Sequence, residues 1–259
     1  MIPTSSLVIL GFTALFCSLL PFSSAFIWTR KKEKSMKPFF IGAAFYIFFV
    51  LIIESVLNEL IFQNEFLFNN TLFYIVYSCL AAAFIEEGSR YIAFKYVLKD
   101  EQKEDSLTYG LGHGGIEMIL IIGISLFSSL MFGMIFNSTG METMLSGSNE
   151  TQQIAITEMI TALQNYGIQE SLICIIERTS VLIFHLSCSI FVYMAVYKKE
   201  KCYFIYALIF HFIMNLPSLL NQRGLISNIW IAEGLIVLIA LSSAVLGYKS
   251  YRKNLENNE

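Results

Sequence analysis

The chain has 259 residues, 56% of them hydrophobic and only 14% charged, with 23 phenylalanines and a net charge of -3. This makeup excludes an ordinary soluble domain and makes lipid the solvent for most of the surface. Five cysteines without a CxxC pair or framework spacing exclude a disulfide scaffold and argue against a thiolate zinc site, and no nucleic-acid partner is expected.

Apolar runs near the ~20 residues that a helix needs to cross a bilayer fall at 7–28, 39–62, 72–98, 107–136, 168–197, 203–220 and 226–246. The runs are continuous rather than alternating, which excludes barrel strands. The expected fold is all-α: a polytopic bundle of about seven spans forming a single integral domain over 1–259, in the cell membrane, with the lipid bilayer as its surroundings. The first run ends in Ser23-Ser24-Ala25, which resembles a processing site. Its basic cluster follows the apolar stretch instead of preceding it, so a retained anchor is expected.

The second run carries Glu54, Glu59 and Glu65 toward its far end, where solvation accounts for them. The third carries Glu86, Glu87 and Arg90, and the fourth His113 and Glu117. Between the fourth and fifth lies 137–167, which has no Lys or Arg. Its Ile154, Ile156, Met159, Ile160 and Leu163 have roughly helical spacing, so an eighth, surface or re-entrant helix covering the bundle is expected there. Asn69, Asn137 and Asn149 begin N-x-Ser/Thr triplets on this side. The fifth run holds Glu177, Arg178 and His185, and the sixth His211 and Asn215. Glu177 with Arg178 reads as a structural ion pair.

Seven crossings place the basic clusters 30–37, 95–103, 198–201 and 249–253 on one face. These hold fourteen of the seventeen basic residues, while Arg223 alone faces the other way and Arg90 and Arg178 lie within spans. By the positive-inside rule the N-terminus is outside and the C-terminus cytoplasmic.

All three histidines lie in apolar runs, where an ionisable group costs several kcal/mol unless it meets a partner or a cavity. Residues four apart share a helix face, so Glu86 with Arg90, His113 with Glu117, and His211 with Asn215 form same-face pairs. At 1.5 Å per residue, Glu86, Glu117, His185 and His211 lie roughly 12–20 Å from the basic ends of their spans, and His113 about 9 Å. Four consecutive spans therefore bring acid, imidazole and carboxamide to one side of the bilayer. A buried carboxylate can take a proton from water, and imidazole with carboxamide can stabilise an oxyanion. There is no G-x-S-x-G elbow, and no cysteine stands out as a partner for a histidine.

Glu86-Glu87-Gly-Ser-Arg90, Tyr109-Gly-Leu-Gly-His113 and His211-Phe-Ile-Met-Asn215 resemble, in order and spacing, the motifs of the CAAX-protease and bacteriocin-processing superfamily of intramembrane peptidases. Gly-Leu-Gly-His113-Gly-Gly-Ile-Glu117, with Glu177-Arg178 ahead of His185, looks most like its YhfC branch. The resemblance covers 81–217. It implies an intramembrane peptidase acting on a membrane-embedded or membrane-delivered protein, in which Glu86 activates water with His113. It also implies that His211 and Asn215 stabilise the oxyanion and that Glu87 and Arg90 support them. His185 and Glu117 are additions that the prenyl-protein endopeptidases do not require. No tightly bound metal is expected, and zinc on His113, His185 and His211 with Glu86 or Glu117 is the alternative. A non-catalytic scaffold or immunity-type regulator with the same fold is the competing function, and a proton or solute transporter lacks repeat symmetry in its favour.

Overall fold

A computed structural model describes residues 1–99 and 102–256; the side chain of Lys253, counted above among the basic clusters, lies outside the described residues. In chain order the helices are α1 (Thr4–Lys32), α2 (Lys37–Phe62), α3 (Glu65–Asn69), α4 (Thr71–Val97), α5 (Lys103–Leu145), α6 (Glu150–Asn165), α7 (Ile168–Tyr197), α8 (Lys201–Gln222) and α9 (Ile229–Glu256). There is no strand among the described residues. All but α3 and α6 are long and apolar enough to cross a membrane. The chain is a multi-pass integral membrane protein, and each of the seven expected runs is the heart of one crossing helix.

Three of these helices are locally underwound. Ile47–Glu54 in α2, Ala93–Val97 in α4 and Met118–Gly123 in α5 are π-helical. Such turns are rare, and they carry the following residues round to a face that the α-helical period does not predict. The fourth span also outruns its expected end at 136. α5 continues to Leu145 and breaks direction at Gly140, whose φ of 80° suits a residue without a Cβ.

The chain divides into two compact units. The first comprises Met1–Leu20 and Met118–Arg178. Its core is Ile2, Leu10 and Phe136 with Ile160 and Leu163 of α6, while Ile154 and Met159 are exposed. The Asn137 carboxamide accepts from the backbone N–H of Ile2 at 2.8 Å and donates to its carbonyl at 2.9 Å. The hydroxyls of Thr13 and Ser171 meet at 2.6 Å. Asn149 caps α6 through a reciprocal capping box with Gln152. Two of the three N-x-Ser/Thr asparagines thus have structural work: one ties down the N-terminal backbone and one starts a helix. Glu177 and Arg178 do pair, as sequence neighbours on the same helix.

The second unit comprises Pro21–Glu117 and Thr179–Glu259. One cluster packs Phe94, Leu98, Tyr109, Phe191, Val192 and Ala207, and another packs Phe184, Cys188, Met214, Ile236 and Ala240. Its closest helix approach is that of α5 on α2. A Cβ on Gly112 would fall 1.9 Å from the Phe39 carbonyl oxygen, and one on Gly42 would fall 2.4 Å from that of Tyr109. Only glycine at these crossings lets two backbones meet, a device common where helices pack in lipid.

Candidate active site

The second unit contains Glu86, Glu87 and Arg90 of α4, His113 and Glu117 of α5, His185 of α7, and His211 and Asn215 of α8. Glu86, Glu87, Arg90, His113, His185 and His211 are all buried. The local sequences explain how each is presented. On α4 the i, i+1 and i+4 spacing aims Glu86 and Arg90 along one face, and Glu87 lies on the adjoining one. On α5 the glycines around His113 remove the side chains that would keep the neighbouring helices away. A Cβ on Gly114 would sit 2.7 Å from the Cβ of His185.

Glu86 is the centre. His113 Nε2 lies 3.0 Å from its Oε2, His211 Nε2 lies 3.4 Å from its Oε1, and His185 Nδ1 lies 3.9 Å from Oε2. Three imidazoles from three helices therefore turn a nitrogen toward one carboxylate. Arg90 approaches the same oxygen with Nη2 at 3.6 Å.

A second ring of contacts orients the first. Arg90 Nη1 donates to both oxygens of Glu87, at 3.0 and 3.3 Å, and its Nη2 meets His185 Nδ1. Because a guanidinium can only donate, that contact makes His185 Nδ1 the acceptor. The ring proton is then on Nε2, which meets Glu117 Oε2 at 2.7 Å. His211 places Nδ1 2.6 Å from Glu87 Oε1, so Nδ1–H donates to Glu87, while Nε2 faces Glu86 Oε1 at 3.4 Å and can donate to it when the ring is protonated. A carboxylate fixing the tautomer of an imidazole is also how proteins present histidine to a metal. His113 Nδ1 is buried without a hydrogen-bond partner, and the ring is held by Tyr46 edge-on at 5.2 Å and by Tyr109 stacked at 5.9 Å. Asn215 is half-buried, one turn beyond His211, and its carboxamide makes no hydrogen bond among the described residues.

The donor set suits a divalent cation. Glu86, His113 and His185 offer ligand atoms that all lie within 4.8 Å of one another, and so do Glu87, Cys188 and His211. Charge points the same way. Glu86 and Glu87, both buried, stand against the single guanidinium of Arg90, and buried carboxylates are held by paired or coordinating positive charge.

The YhfC intramembrane metalloprotease family matches residues 16–236. The chain belongs to this family. It is 30% identical to the uncharacterized membrane protein YhfC of Bacillus subtilis (strain 168), over 97% of this chain and 99% of that protein. No solved structure matches the chain. The YhfC match takes in every residue of the site from Glu86 to Asn215.

Two neighbours of this YhfC site escaped the sequence. Cys188 does not stand out there as a partner for a histidine, yet it stands with Glu87 and His211; its position three residues after His185, on the same helix face, was the available signal. Glu54 reads as a solvated residue near a helix end. It is instead half-buried, and its Oε2 and the Oδ1 of Asn58 are both enclosed without a hydrogen-bond partner. The i, i+4 spacing of Glu54 and Asn58 is the same stripe that marks the other site helices, but the π-helical turn ending at Glu54 hides which way it faces.

Proposed function

We propose that this YhfC-family chain is an intramembrane peptidase that hydrolyses a peptide bond of a membrane-embedded or membrane-delivered protein, using water activated at Glu86. The observation that carries this reading is the convergence of three imidazole nitrogens, from α5, α7 and α8, on the single carboxylate of Glu86. A structural ion pair needs one partner, whereas this carboxylate has three imidazoles and a guanidinium around it.

Glu86 takes the proton of the attacking water and delivers it to the leaving amine. His113 Nε2, in contact with Glu86 Oε2, holds that carboxylate in place. His211, its Nδ1–H held by Glu87 and its Nε2 protonated in the imidazolium form, and Asn215, whose carboxamide has no competing partner among the described residues, donate to the developing oxyanion. Arg90 ties Glu87 to His185, and Glu117 holds the far nitrogen of His185. His113, His185 and His211 would hold a divalent ion, zinc by the chemistry of the donors. When bound, the ion would lower the pKa of water and polarise the scissile carbonyl.

The test is Glu86→Gln in proteoliposomes with a panel of transmembrane peptides. Loss of a general base is expected to slow cleavage by about 10²–10⁴-fold while leaving the protein folded. Undiminished cleavage would remove Glu86 from its role. Elemental analysis of the purified protein decides the ion: bound zinc that disappears in His113→Ala and His211→Ala supports the three-imidazole site. Active protein without metal leaves the Glu86-activated water acting alone. Absence of any cleavage by the wild type, together with loss of a binding partner in these variants, would favour the scaffold or immunity-type reading.

A further inference from the structure

Glu54 and Asn58 of α2 have no role in the hydrolysis above, and three observations set them apart. Their oxygens Glu54 Oε2 and Asn58 Oδ1 are fully enclosed and accept no hydrogen bond. An unmet buried acceptor costs about 1–3 kcal/mol, and more when it is charged; Asn58 bonds to Glu54, but no donor among the described residues meets these two oxygens. The π-helical stretch that ends at Glu54 packs against α4, the helix of Glu86, and π turns are frequent at functional sites. Finally, the Glu54 carboxylate is within electrostatic reach of Glu86, His211 and Glu117, which places the pair at the edge of the same polar site.

The kind of donor follows from charge. Neutral acceptors suffice for backbone N–H groups, whereas here a carboxylate stands beside a carboxamide. The Glu86 carboxylate acts on Glu54 with the same sign, and Arg90 is already engaged by Glu86 and Glu87. A lysine ammonium or arginine guanidinium brings both the missing charge and several donors. Counted at 1.5 Å per residue from the basic ends of α2 and α4, Glu54 stands roughly 9 Å further into the bilayer than Glu86. That is about two to three residues of an extended peptide at ~3.3 Å each.

We infer that Glu54 and Asn58 form a specificity subsite for a basic side chain of the substrate, a lysine or arginine lying a few residues from the scissile bond within the membrane. The inference rests on the peptidase reading for its meaning, and its test separates the two. Full-length protein in nanodiscs is given transmembrane peptides that differ only by one lysine, norleucine or glutamate, scanned along the segment, and the products are read by mass spectrometry. The wild type should cleave lysine peptides fastest and at a fixed offset from the lysine. In Glu54→Gln, which keeps shape and removes charge, the lysine-to-norleucine ratio of kcat/KM should fall about tenfold, as loss of a charged hydrogen bond implies. In Asn58→Leu the same ratio should fall less.

Cleavage with no lysine preference, or an unchanged ratio in Glu54→Gln, would overturn the subsite and leave the peptidase standing. If the wild type cleaves nothing, the peptidase reading fails and binding decides the subsite. Lysine peptide bound to Glu86→Gln in preference to norleucine peptide, with that preference lost in Glu54→Gln/Glu86→Gln, upholds it. Equal binding of the two peptides ends it.

Discussion

At the scale of single residues, the site depends most on a buried charge pair. Arg90 and Glu87 are both fully enclosed, 3.0 Å apart, and Glu87 also receives the Nδ1–H of His211. Breaking a buried pair strands its partner, at a cost of about 3–5 kcal/mol, whereas replacing both partners by apolar groups is often close to neutral. Glu87→Leu is therefore expected to lower the unfolding free energy in detergent by about that amount, and Glu87→Leu/Arg90→Met to recover most of it. The double variant should remain inactive, because His211 has lost the carboxylate that fixes its tautomer and His185 has lost its Nδ1 partner. A double variant as unstable as the single one, followed by chemical denaturation, would show that Arg90 is held by something other than Glu87. This grouping was half legible in the sequence. Spacing put Glu86 and Arg90 on one stripe, but the contact that joins Arg90 to His185 spans 95 positions, and no local pattern records it.

At the scale of the helices, apolar length was enough to find all seven crossings, because a backbone in lipid is satisfied by helices or closed barrels and continuous apolar runs fit only the first. The sequence was silent where helices depart from regular winding. The three π-helical stretches have no distinctive composition, and one of them conceals Glu54. The glycines of α5 were visible as a motif, and the structure supplies their reason: Gly112 meets the backbone of α2, while Gly114 meets the ring of His185. Their alanine variants should therefore differ in kind. At Gly112 the added Cβ would strike a carbonyl 1.9 Å away, a rigid obstacle, so the helices must part; overpacking of this sort costs typically 1–3 kcal/mol or more, and Gly112→Ala is expected to melt earlier and insert poorly. At Gly114 the nearest atoms are the Cβ and ring of His185, 2.7 Å away, and that Cβ is fixed by the backbone of α7. Gly114→Ala should therefore lose stability too, and in addition shift the imidazole from Glu117 and Arg90; a misplacement near 1 Å can cost about 10²-fold in rate. Folded Gly114→Ala protein that cleaves as fast as folded Gly112→Ala protein would contradict this division.

At the scale of the whole molecule, the helix ends now locate the charges. The basic clusters fall at the ends of α1, α4, α7 and α9 and at the starts of α2, α5 and α8, which are the same side for a chain that crosses at each of these seven helices. An uncounted or extra crossing would have scattered them, so the charge pattern and the helix count support each other without being derived from one another. By the positive-inside rule that side is expected to be the cytoplasm, with the N-terminus and α6 outside. Fluorescent-protein fusions after Arg252 are expected to glow, and alkaline-phosphatase fusions there to be inactive. Phosphatase inserted at Gly147, between α5 and α6, should be active. The orientation bears on the chemistry, since all four helices that carry the site hold its acids and imidazoles nearer their basic ends than their far ends. Water and substrate would then reach Glu86 from the cytoplasmic half of the bilayer. Cys202, exposed at the basic start of α8 and kept as the sole cysteine, should react with a small charged maleimide added to inside-out vesicles and be spared when the reagent is added to intact cells. Labelling from the outer face alone would reverse both the topology and the direction in which the site opens.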